Sequence, residues 1–242
     1  MAEKKVALVI GAGDATGGAI ARRFAREGYV AAIVRRRAEK LEPLAKQIEA
    51  EGGAVRAFGV DARKEEQMVG LVETIEREIG ALEVAVFNIG ANVRFGIRET
   101  TARVYFKVWE MACFSGFLMG REAAKVMVPR GRGTILFTGA TASVRGRDGY
   151  CAFAGAKHAL RALAQSMARE LGPQGIHVAH TVIDGAIDTE FIRSNFPERY
   201  KAKAQDGILN PEHIAEHYWL LHRQPRDTWT HELDLRPWSE SW

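Results

Sequence analysis

Cysteine is scarce: the chain holds only Cys113 and Cys151, and neither lies in a CxxC pair or at metal-ligand spacing from a histidine. A disulfide framework is not expected, which suits a reducing compartment, and no metal site is expected either. Long apolar runs are missing too. The N-terminal MAEKKVALVIGAG carries five apolar residues, Val6 to Ile10, before its glycine, too few for a signal-peptide core or a membrane span. A cytoplasmic protein with no membrane partner is expected. Nor is there a basic tail or stripe: 34 Lys and Arg interleave with 30 Asp and Glu, for a formal net charge of +4. Nucleic acid is therefore not an expected partner. Internal repeats, low-complexity tracts and linkers are likewise absent, and a chain of 242 residues at 47% hydrophobic content can bury one core. The expectation is a single domain over 1–242.

What the chain does contain is an alternation. Short apolar or β-branched runs, VALVI (6–10), VAAIV (30–34), VRAFGV (55–60), EVAVFN (83–88), TILFT (134–138) and IHVAHTV (176–182), are separated by longer segments of helical period. Continuous apolar strands joined by helical crossovers indicate a parallel sheet covered on both faces. The expected fold class is α/β, a Rossmann-type doubly wound parallel sheet with helices on both faces. One helix shows Phe153, Ala156, Leu160, Leu163 and Met167 at three- and four-residue steps, an apolar face for the core or a subunit contact. The least regular part, 184–210, reads as a substrate loop region. The aromatic tail 229–242, with Trp229, Trp238 and Trp242, reads as cover for a subunit contact or for an apolar pocket.

The first strand runs into glycines at Gly11, Gly13, Gly17 and Gly18 before the first helix. Glycine there permits a tight turn and close approach to a pyrophosphate, whose charge meets the N–H groups of the helix start. The second strand ends in Arg35, Arg36 and Arg37, where an NAD-selective site would place an acid. Guanidinium groups suit the 2′-phosphate of NADP, so NADP(H) is favoured over NAD(H); the alternative is a solvated basic helix start.

At this point the chain resembles the short-chain dehydrogenase/reductase family, from about Val6 to Thr189. The family's TGxxxGxG motif falls on IGAGDATG, Ile10 to Gly17, with Gly11 and Gly17 matched and Ala15 replacing the middle glycine. The resemblance assigns Asp61 to the adenine ring, Asn88 and Gly90 of FNIG to the adenine-ribose side, and the Ile187 backbone with the Thr189 hydroxyl to the nicotinamide carboxamide. It also implies a small-molecule substrate and a homodimer or homotetramer.

The family works with an Asn, Ser, Tyr, Lys tetrad. Here those positions fall on Cys113, Ala140, Phe153 and Lys157, so only the lysine is kept and the chain reads as an atypical member with Phe for the catalytic Tyr. A phenyl ring has no proton to give. Lys157 can bind the nicotinamide ribose, or else be a surface lysine on a helix. Candidate substitutes are Tyr150, which otherwise shapes the substrate loop, and Thr141 and Ser143, which otherwise satisfy local backbone groups. Asp184 stands where the family has proline, as a base or a loop cap, and with His180 it brackets the end of the sixth strand. Cys113 reads as a buried small apolar residue. The expected function is an NADP(H)-binding oxidoreductase acting on a small carbonyl, alcohol or enone through a non-standard proton donor. The alternatives are a catalytically inactive dinucleotide-binding sensor or partner subunit, and a non-redox lyase or isomerase.

Overall fold

The structure, a computed structural model, describes residues 4–241. Its strands are β1 (Lys5–Ile10), β2 (Val30–Arg35), β3 (Ala54–Gly59), β4 (Ala81–Phe87), β5 (Gly133–Thr138), β6 (Ile176–Ile183) and β7 (Glu232–Leu235). They form one sheet in the order β3-β2-β1-β4-β5-β6-β7, and every pairing is parallel. The order reverses between β1 and β4, so the carboxyl ends of these two strands diverge into a crevice.

The apolar runs are continuous because the central strands are covered on both sides. β4 and β6 are buried at every position. Side chains alternate between faces at a period of two. Val6, Leu8 and Ile10 therefore join α3 (Glu65–Glu78), α5 (Ser115–Met127) and α6 (Cys151–Leu171) in one core layer. Ala7 and Val9 join α1 (Thr16–Arg26), α2 (Glu42–Ala50) and α9 (Pro211–Arg223) in the other. On α6 the spaced Phe153, Ala156 and Leu160 are buried, and Leu163 and Met167 pack on the same core. Before it, α4 (Ala102–Trp109) runs through a π-helical turn, Glu110–Phe114, into α5.

In three places the structure adds to the sequence reading. The aromatic tail is not simply cover: it contains β7, an added edge strand that pairs with β6 through His180↔Glu232 to Ile183↔Leu235. Its Trp229 stacks on His177 of the same chain, ring centroids 4.9 Å apart, while Trp238 is 80% exposed; Trp242 lies outside the described residues. The 184–210 region is structured, with α7 (Glu190–Asn195) and α8 (Pro197–Tyr200) inside it and its ends tied by a bridge between Ile187 and Leu209. Tyr150 precedes α6 as its N-cap residue. Among the described residues no helix is long and apolar enough to cross a membrane.

Candidate active site

The turn after β1 is built so that three glycines face protein and one faces outward. Gly11 has φ of +85°, and a Cβ there would lie 2.7 Å from the Asn88 carbonyl oxygen. A Cβ on Gly17 would lie 2.3 Å from the Gly11 oxygen, and one on Gly18 would lie 2.3 Å from the Gly13 oxygen. Gly13 is open, its nearest neighbour being the Arg35 guanidinium at 3.8 Å, and Gly90 has nothing within 4 Å. Ala15 is the N-cap of α1 and supplies no side-chain cap, so the first N–H groups of that helix stay available to an anion. Asn88 Nδ2 donates to the Gly11 oxygen at 3.2 Å. Its amide thus braces the glycine turn from β4.

Beside this turn lies a cavity of about 160 Å³ lined by Gly11, Arg35, Arg36, Asp61, Arg63 and Met111, among others. Arg35 reaches Asp14 at 3.6 Å. Arg37 is exposed at the start of the following 3-10 turn and is not among the residues lining this cavity. The Asp61 carboxylate is gripped by Arg63, Nε to Oδ1 at 2.9 Å and Nη2 to Oδ2 at 2.6 Å. Those bonds hold its carboxyl below the usual range. Arg63 and Met111 line the cavity without any signal in the sequence, Met111 being projected here by the π-helical turn from a distant part of the chain.

Further along the sheet edge, Lys157 is 2% exposed and donates to the Ile89 oxygen at 3.0 Å and the Thr138 oxygen at 2.8 Å. The lysine is therefore a buried strut across the ends of β4 and β5 rather than a surface residue. Burial lowers it to about 8. One turn earlier on α6, Phe153 is buried against Val108, Ala112 and Ala142. Cys113, on the π-helical turn, is buried and its thiol is pushed up to about 11, so it is held as an inert thiol.

The end of β5 meets the end of β6 at a second polar cluster. Thr141 Oγ1 donates to Asp184 Oδ1 at 2.5 Å, and Arg145 and Arg236 approach the same carboxylate at 3.6 and 3.8 Å. Ser143 is fully buried and its hydroxyl accepts the Ala140 N–H at 3.1 Å; of its two readings, the one that satisfies a local backbone group is what the structure shows. His180 lies within β6. It is fully buried, its Nδ1 lies 3.1 Å from Glu232 Oε2, and desolvation lowers it to about 4. Farther on, Thr189 caps α7 by accepting the Ile192 N–H. The Ile187–Leu209 bridge uses the Asp188 N–H and the Ala186 oxygen, which leaves the Ile187 backbone groups out of that pairing.

Residues 5–199 match the family model described as short chain dehydrogenase. The chain belongs to the short-chain dehydrogenase family. A short-chain dehydrogenase from Rhodopseudomonas palustris, known from its crystal structure, is 46% identical, with a TM-score of 0.83 over 97% of this chain and 99% of that one. An alcohol dehydrogenase from Thermococcus sibiricus complexed with 5-hydroxy-NADP is 27% identical, with a TM-score of 0.86 over 99% of each chain. An uncharacterised oxidoreductase of Bacillus subtilis is 29% identical over 85% of this chain and 80% of its own.

Short-chain dehydrogenases bind nicotinamide dinucleotides, and the residues present fit such a group: an outward-facing Gly13 and Gly90, a helix start without a side-chain cap, and a cavity carrying two guanidinium groups at the end of β2. The positions that the sequence resemblance assigns to the family's tetrad are occupied by Cys113, Ala140, Phe153 and Lys157. Three of these carry side chains with no hydroxyl or amide to offer a substrate.

Proposed function

We propose that this short-chain dehydrogenase is an NADP(H)-dependent oxidoreductase of a small carbonyl, alcohol or enone compound, working with a proton donor other than tyrosine. The observation that carries the cofactor choice is the pair Arg35 and Arg36 lining the cavity beside Asp61, with no acid at the end of β2. A 2′-phosphate has the geometry and charge to take bidentate hydrogen bonds from such groups. The Thermococcus sibiricus neighbour, complexed with an NADP derivative, supports the same reading.

When bound, the nicotinamide supplies the hydride. The chain's own residues do the rest. The glycine turn and the α1 start receive the pyrophosphate, with Asn88 keeping the turn rigid. Lys157 holds its charge on the ribose side with one N–H left uncommitted by the protein, and the Ile187 backbone with Thr189 receives the carboxamide. Tyr150, the N-cap of α6, packs against the Phe153 cluster, and together they make an apolar wall for the substrate.

The competing reading is a dinucleotide-binding protein without redox activity, favoured by the three replaced tetrad positions. NADPH and NADH titrations, followed on the same sample by turnover with a ketone and enone panel, separate the two. Tighter NADPH than NADH binding with sustained NADPH oxidation is expected; tight NADPH binding without turnover would establish the competitor. A homo-oligomer is also inferred. Phe106, Trp109, Phe114 and Phe117 form a row of rings along α4 and α5, with Phe106 57% and Phe117 37% exposed, an apolar surface suited to a subunit contact.

A further inference from the structure

A carbonyl reduction needs a proton, and the groups around Phe153 are mostly committed elsewhere. Thr141 spends its proton on Asp184. Ser143 is buried behind the turn on the Ala140 N–H. The Cys113 thiol and the neutral His180 imidazole are both buried, and His180 is engaged with Glu232. Lys157 differs from all of these. An ammonium has three protons, and the described protein takes two of them, through Ile89 and Thr138. It also lies four residues from Phe153 on one helix, hence on the same face.

We propose that Lys157 is itself the general acid, passing an ammonium proton to the substrate oxygen directly or through one water. The assignment rests on the redox reading above. In the step, the carbonyl carbon gains a C–H bond from the dinucleotide's hydride and the π pair moves onto oxygen. An O–H bond then forms as an N–H bond of Lys157 breaks. The ketone is reduced, the dinucleotide is oxidised, and the neutral amine regains a proton from solvent.

The surroundings of Lys157 suit that cycle. Facing it are the Ile89 and Thr138 carbonyls from the ends of β4 and β5, the Cys113 thiol from the π-helical turn and the His180 imidazole from β6. Beyond His180, the Glu232 carboxylate of β7 is taken by two Arg161 bonds of 2.6 Å and by His180. Among the described residues Lys157 therefore has no carboxylate partner to fix its charge, and burial brings it to about 8. A general acid is most effective when its pKa lies near the working pH. Tyr150, whose hydroxyl makes no hydrogen bond among the described residues, is the competing donor that the test must separate.

Two measurements decide it. The first is NADPH oxidation with a reducible ketone between about pH 6 and 10 for the wild type, Lys157→Arg and Tyr150→Phe. The second is an NMR titration of the Lys157 ε-methylene in the dinucleotide-free protein. Expected are a wild-type kcat that falls about tenfold per pH unit above about 8, and the same fall in Tyr150→Phe. Lys157→Arg keeps a charge and donors for the ribose but does not release a proton. It is expected to bind NADPH within about threefold of wild type and to lose at least about 100-fold in kcat. The NMR titration is expected near 8. Turnover by Lys157→Arg close to wild type, or a Lys157 titration above about 10, overturns the assignment alone. Loss of the alkaline fall in Tyr150→Phe gives the role to Tyr150 and also overturns it. A wild type that binds NADPH and reduces nothing in the panel overturns the redox reading, and this assignment with it.

Discussion

Acidification is expected to unfold this protein through two histidines well before its carboxylates matter. His180 is fully buried against Glu232. His222, on α9, is held between the Tyr29 hydroxyl at 2.7 Å and the Thr134 hydroxyl at 2.8 Å. Desolvation lowers both to about 4, from an ordinary histidine value of about 6.5. A lowered histidine is protonated more readily in the unfolded chain, so its stabilising contribution is complete above pH 6.5. It is lost as the pH falls from 6.5 towards 4 and is constant below that. A difference of about 2.5 units at about 1.36 kcal/mol each gives a loss of about 3 kcal/mol per histidine. With a urea m-value of about 3 kcal/mol/M, each histidine would lower the midpoint by about 1 M across the window. Urea melts at several pH values between about 4 and 7.5 measure this directly. His222→Gln should be less stable at neutral pH, because a buried hydroxyl loses part of its pairing, yet show about half the acid sensitivity. An equal pH slope in wild type and variant would refute the reasoning, as would a transition that begins only below about pH 4.

Three more predictions bear on the site. Gly17→Ala, whose Cβ would lie 2.3 Å from the Gly11 oxygen and 2.9 Å from the Ala12 Cα, should cost about 1–3 kcal/mol in stability and weaken NADPH binding at least tenfold. Gly13→Ala, with 3.8 Å of clearance, should keep its fold by the same melts. Arg36→Glu should lower NADPH affinity by about 10-fold or more while sparing NADH, read by fluorescence titration; an equal loss for both would count against a 2′-phosphate contact. Phe153→Tyr should leave carbonyl-reductase turnover within about threefold of wild type, because Ala140 and Cys113 still supply no substrate-orienting group. Robust activity from that single change would refute this account of the site.

The sheet was legible because its central strands are apolar runs, and burial on both faces leaves that signature in sequence; β3, at the edge and largely exposed, was read from the short run VRAFGV alone. β7 was not, because ELDL at an edge needs no apolar run: Glu232 answers Arg161 and His180 instead. The glycine turn was legible from its place after the first strand, since both the turn and the close contact of Gly17 demand glycine. Arg63 and Met111 were not legible as lining residues, because their approach to Arg35 is set by the crossing of distant segments. Which of the two readings of Ser143 holds is settled by local geometry. A hydroxyl in a turn points towards a ligand or back to its own backbone according to local dihedrals, and here it turns back.

The π-helical turn between α4 and α5 acts as a shim. An α-helix advances about 100° per residue, so removing one residue from Glu110–Phe114 would roll all of α5 by that angle. Leu118, Met119 and Ala123, now buried in the core, would swing away, and Phe117 and Arg121 would turn with them. The same deletion would withdraw Met111 from the nucleotide cavity and Cys113 from Lys157. Length in this segment is therefore constrained more tightly than residue identity, because the packing of one helix and both ends of the cleft are geared to a single turn.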